Sequence, residues 1–142
     1  MISFRRGSLL VSSALILMLQ ACASTQERLL DSDASQLQLR SMQTRAFDTA
    51  DKDRTLRTVI ATLQDLGFVI DKADAFLGTV TATKLDRYAL RMTVTVRPRG
   101  TTQLLVRANA QYETTPVTDP LPYQQFFAAL EKSMFLAAQQ VD

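Results

Sequence analysis

The stretch YALRMTVTVRPRG followed by TTQLLVRANAQYE, residues 88–113, alternates apolar and polar side chains almost without interruption. Successive side chains of a strand leave opposite faces of a sheet. Leu90, Met92, Val94 and Val96 therefore share one face, and Arg91, Thr93, Thr95 and Arg97 share the other. Pro98-Arg99-Gly100 supplies a turn. The return strand sets Leu104, Val106, Ala108, Ala110 and Tyr112 against Leu105, Arg107, Asn109 and Gln111. One covered face and one wetter face is the pattern of an antiparallel sheet.

Working outward, FVIDKAD (68–74) and GTVTATKL (78–85) read as two further strands joined by a short turn around DAFLG. Before them, Leu56, Val59, Ile60, Leu63 and Leu66 make one apolar stripe at helical spacing, which predicts a helix over 51–66. Asp48, Thr49 and Asp51 offer capping oxygens at its start, and Gly67 stands where a left-handed residue commonly ends a helix. After the central hairpin comes ETTPVTDPLP, a three-proline connector in which Asp119 can cap a helix with Pro120 at its first position. The last helix carries Tyr123, Phe126, Phe127, Leu130, Met134, Ala137, Ala138 and Val141 at helical spacing, with Phe135 and Leu136 widening its apolar face. The segment 39–47 alternates loosely and reads as a first edge strand. The fold expected is α+β, a two-layer sandwich in the order (β)-α-β-β-β-β-α, with a four- or five-stranded antiparallel sheet covered on one face by two helices.

The chain opens MISFRRGS, and Leu9–Leu19 follows with no charge. A basic start and an apolar run of this length read as a secretory signal. Eleven helical residues span about 16 Å, about half of a hydrocarbon core, too short for a transmembrane helix. The run ends in Leu19-Gln20-Ala21-Cys22, and Cys22 is the single cysteine. These four residues resemble the lipobox of bacterial lipoprotein precursors, which have an aliphatic residue at −3, a small one at −1 and then cysteine. Gln20 departs from the usual small residue at −2. The resemblance implies diacylglycerol on the Cys22 sulfur, cleavage after Ala21 and acylation of the new amino group, an anchor well above the two-chain threshold for stable attachment. It also implies a site of work: Ala23 and Ser24 follow the cysteine, and the lack of aspartate at +2 points to the outer membrane facing the periplasm rather than the inner membrane. The division expected is a signal peptide over 1–21, lipidated Cys22 and a tether over 22–39, and one domain over 40–142. The alternative for Cys22, a lone cysteine buried as a small hydrophobe, fits its position after a basic start, an apolar run and the lipobox less well.

Removal of residues 1–21 leaves 121 residues, enough for one domain. Without Arg5 and Arg6 the sixteen basic residues become fourteen, equal to the fourteen acids. A neutral balance argues against a nucleic-acid partner. There is no histidine, which excludes histidine-based metal sites and the Ser-His-Asp and Cys-His nucleophilic arrangements. No cofactor or metal is expected, and the protein reads as no enzyme. A hydrolase would have to be built on a carboxylate pair among Asp71, Asp74 and Asp86, which read better as solvated turn residues.

Arg91, Arg97 and Arg107, with Asn109 among interleaved threonines, form a candidate docking face for an acidic partner or anionic headgroups. The same residues are ordinary occupants of a solvated sheet face. Tyr123, Phe126, Phe127 and Phe135 could line a pocket for an acyl chain between helix and sheet, or simply fill the core. Two stretches, RAFDTADKDRTLRTVIATLQDLGFVIDKAD…LGTVTATK and YQQFFAALEKSMFLAAQQ, resemble a group of small proteobacterial envelope lipoproteins of uncharacterised function. The order of elements is similar in layout to the helix-grip domains of lipoproteins in outer-membrane protein assembly, a likeness that carries fold and not function. The expectation for function is a non-catalytic, membrane-anchored accessory or scaffold subunit of an envelope assembly, secretion or transport complex, with a protein partner. The alternative is a module that binds a lipid or lipopolysaccharide moiety.

Overall fold

The alternation of residues 88–113 becomes a long hairpin in the computed structural model, which describes residues 35–139. Among these, six strands form one antiparallel sheet: β1 (Thr44–Phe47), β2 (Val69–Asp74), β3 (Thr79–Leu85), β4 (Ala89–Arg99), β5 (Gln103–Tyr112) and β6 (Thr115–Pro116). Their order is β1-β5-β4-β3-β2, with β6 also against β5. β1 pairs with β5 from Thr44 opposite Arg107 to Phe47 opposite Leu104, whereas β6 takes the far end of β5, Pro116 facing Gln111. Residues 35–42 are helical (α1), and the other helices are α2 (Lys52–Asp65) and α3 (Leu121–Gln139). The architecture is α+β, as expected from the order of elements. Contacts divide the chain between Gln38 and Leu39, and the sheet, α2 and α3 belong to the unit that begins at Leu39.

Each element follows from its residues. α2 starts at Asp51, whose carboxylate accepts from Arg54 N at 2.9 Å. It ends with Gly67 at φ +85° while Phe68 N bonds to Leu63 O and Gly67 N to Gln64 O, the paired closure of a Schellman motif. Gly78, at φ +69°, has a different constraint: a side chain there would place its first carbon 2.5 Å from Val96 O. Val96 N in turn bonds to Gly78 O at 2.7 Å, so the β2–β3 turn lies directly on β4.

The core lies between one sheet face and the helices. Val80 and Ala82 of β3, Met92, Val94 and Val96 of β4, and Leu104, Val106, Ala108 and Ala110 of β5 are all buried on that face. Leu56, Val59 and Leu63 of α2 and Tyr123, Phe126, Phe127 and Leu130 of α3 join them in one cluster. Tyr123 carries a polar atom into this core and satisfies it fully. Its hydroxyl donates to Val117 O at 2.7 Å and accepts from Ala110 N and from Gln43 Nε2, each at 3.3 Å.

The structure departs from the sequence reading in several places. Residues 35–42 are helical where a tether giving way to an edge strand is expected, and β1 is confined to Thr44–Phe47. Gln, Leu, Arg and Met favour helix, and Gln43 N closes the last turn on Leu39 O. The proline-rich connector contributes β6, whose Pro116 sits on an outer strand where a missing N–H is tolerated. α2 buries Thr55, Thr58 and Thr62 beside its aliphatic stripe. Their hydroxyls donate to the carbonyls of Asp51, Arg54 and Thr58 four residues back, which removes the cost of burying them. Phe135 and Leu136 do not extend the buried face of α3 but are exposed. Cys22, the apolar run before it, residues 22–34 of the tether and Val141 lie outside the described residues.

Candidate functional site

The sheet face turned away from α2 and α3 carries the candidate docking residues. Arg91 stands opposite Gln111, Thr93 opposite Asn109, Thr95 opposite Arg107 and Arg97 opposite Leu105. Residues opposite each other in an antiparallel pair share a face, so Arg91, Asn109, Arg107 and Arg97 follow one seam between β4 and β5. Arg91 and Asn109 are diagonal neighbours, as are Arg107 and Arg97, and each diagonal is about 7 Å. From Arg91 to Arg97 the seam is about 20 Å long.

All four side chains are exposed. Among the described residues, none of the three guanidiniums has a hydrogen bond or an ion pair. The ion pair that does form, Arg45 with Glu131 at 3.9 Å, joins β1 to α3 instead. The seam is bordered by half-buried Thr79, Thr81 and Thr83 of β3, and Thr81 and Thr93 share a hydroxyl contact at 3.3 Å. Unpaired guanidiniums on a flat sheet have their planar donor forks available for carboxylate or phosphate. The arrangement suits an acidic surface laid across strands.

The candidate carboxylates are structural in their contacts. Asp71 accepts from Thr83 Oγ1 at 2.6 Å beside the register shift between Ile70 and Lys72, and Asp74 caps the β2–β3 turn by accepting from Leu77 N at 2.8 Å. Asp86 is exposed in the β3–β4 turn. No group of three or more His, Cys, Asp or Glu side chains among the described residues is placed to hold a metal ion. No helix among them is long and apolar enough to cross a membrane.

Phe126 and Phe127 are packed edge to face, centroids 5.1 Å apart, inside the core cluster. A cleft of about 450 Å³ opens elsewhere, at the end of the sheet where α2 stops and α3 starts. Buried Phe68, half-buried Leu66 and Leu90 and exposed Leu121 line it, with half-buried Lys84 and exposed Asp86, Arg87 and Asp119 at its rim. Sequence reasoning missed this cleft because it is assembled from three turns distant in the chain. The available signal was Tyr88, a large aromatic residue in a polar turn. No protein-family model and no curated protein matches the chain.

Proposed function

We propose that this chain is a non-catalytic lipoprotein, anchored through Cys22 to the outer membrane on its periplasmic side, that docks a protein partner of an envelope complex on the open face of its sheet. The observation that supports the docking reading is the line of three unpaired guanidiniums along the β4–β5 seam. A folded domain gains nothing in stability from leaving three arginines in a row without counter-charges, whereas an acidic partner surface would meet all of them at once. Anchoring confines such a module to a surface and raises its effective concentration for a partner held at the same membrane.

The test is co-purification after cross-linking in living cells, with the full-length chain compared with its Arg91→Glu/Arg107→Glu variant. These exposed positions leave stability within about 0.5 kcal/mol of the parent. Reversing two charges that face acids in a complex weakens binding by about a hundredfold. The expected result is one stoichiometric protein captured by the parent chain and lost from the double variant. Equal capture by both would remove the seam from the interface.

The cleft supports a second reading, a module that binds a lipid or lipopolysaccharide moiety, because Leu66, Phe68, Leu90 and Leu121 line it at the end of the sheet. Lipid co-purifying without any protein would place that reading first.

A further inference from the structure

Four large apolar side chains crowd one end of the domain. Leu85 and Tyr88 flank the β3–β4 turn and are 82% and 70% exposed. Tyr112, opposite Leu90 on the adjoining strand, meets Tyr88 edge to face with centroids 6.3 Å apart. Leu121 lines the same cleft as both tyrosines. Beside them stand Lys84 and Arg87, with no carboxylate within ion-pair distance among the described residues. Lys84 Nζ lies 5.9 Å from the centre of the Phe68 ring. Asp86 sits between the two cations in the chain, and one oxygen of Asp119 is taken by Leu121 N.

We propose that this end of the domain is an interfacial contact with a zwitterionic phospholipid bilayer, with Leu85 and Tyr88 entering the headgroup region. Tyrosines combine an apolar ring with a polar tip and settle at that depth. A rim of mixed sign matches a zwitterionic headgroup, phosphate toward Lys84 and Arg87 and ammonium toward Asp86. The other apolar tip, Phe76 and Leu77 in the β2–β3 turn, carries no tyrosine. Phe76 is 91% exposed, and one cation there, Lys52, has its Nζ bonded to Phe76 O. The proposal rests on the lipid-anchor reading, since a contact this small becomes significant once a tether holds it near the bilayer. With the tip down, the strands stand upright and the arginine seam faces sideways, open to a partner in the same membrane.

The chain contains no tryptophan, so single substitutions report cleanly. Tyr88→Trp, Phe76→Trp and Phe135→Trp are placed separately in the full-length lipidated protein. Each is reconstituted into vesicles of zwitterionic phospholipid brominated on its acyl chains, and intact mass records the acyl groups on Cys22. The expected result is a blue-shifted, strongly quenched signal from the Tyr88→Trp protein and little quenching from the other two. Equal quenching at all three positions, stronger quenching of the Phe76→Trp protein, or none at Tyr88→Trp in a protein that carries its lipid would overturn the proposal.

If intact mass shows no lipid, the anchor reading fails separately. The Tyr88→Trp reporter in the full chain is then titrated with excess vesicles: quenching there sustains the tip contact, and its absence ends it.

Discussion

Phe126→Ala should cost the domain about 3–5 kcal/mol, whereas Phe135→Ala should change its stability by less than about 0.5 kcal/mol. Both residues belong to the same helix and to the same apolar run in the sequence. Phe126 is fully buried in the cluster between α3 and the sheet and packs edge to face on Phe127, so its removal leaves a cavity walled by β-strand side chains that cannot collapse. Phe135 is exposed, and water already occupies the space around it. A small domain has about 5–15 kcal/mol of stability in all, so the first substitution brings it close to unfolding at ambient temperature. Urea denaturation of the unlipidated Cys22→Ser chain, with and without each substitution, measures the difference. With a slope of about 1–2 kcal/mol per molar, the midpoint should fall by about 2–4 M for Phe126→Ala and stay nearly fixed for Phe135→Ala. Equal losses would mean that the C-terminal half of α3 is buried after all.

Cys22→Ser should abolish lipid attachment. Its oxygen cannot accept the diacylglyceryl thioether linkage that the lipobox implies, and without that group neither cleavage after Ala21 nor amino-terminal acylation follows. Each buried methylene contributes about 0.8 kcal/mol, so the loss of three acyl chains removes far more than any surface contact of the domain could supply. Labelled palmitate should be incorporated into the parent chain and not into the variant. Inhibition of the lipoprotein signal peptidase should cause a diacylglyceryl-modified precursor of the parent to accumulate. Palmitate on the Cys22→Ser chain would contradict the anchor.

The parts of the fold that depend on local period were legible in the sequence. The hairpin of β4 and β5 is set by strict alternation, and Gly67 ends α2 because only a residue free of a side chain enters the left-handed region without strain. What escaped the sequence is what depends on distant neighbours. Thr55, Thr58 and Thr62 look like a solvated edge of α2 until the approach of α3 buries them and their hydroxyls turn back onto the helix. Phe135 has the period of a core residue but is exposed. Residues 35–42 mix the helix and strand patterns, and helix propensity prevails up to Gln43, after which β5 captures the chain at Thr44. Arg91, Arg97, Arg107 and Asn109 share a face, as alternation alone implies. Their order along one seam needed the register of β4 on β5. The cleft needed three turns to meet, and no period carries that.

The central claim is that the open sheet face, and not the helix layer, receives the partner. A photo-cross-linking amino acid placed at exposed Asn109, in the middle of the arginine seam, tests it against the same group at exposed Ala128 on α3. With the full-length chain in living cells, the account predicts a discrete protein adduct from position 109 that disappears on adding Arg91→Glu and Arg107→Glu, and none from position 128. An adduct from position 128 with none from position 109 would contradict it, and would place the interface on the helices.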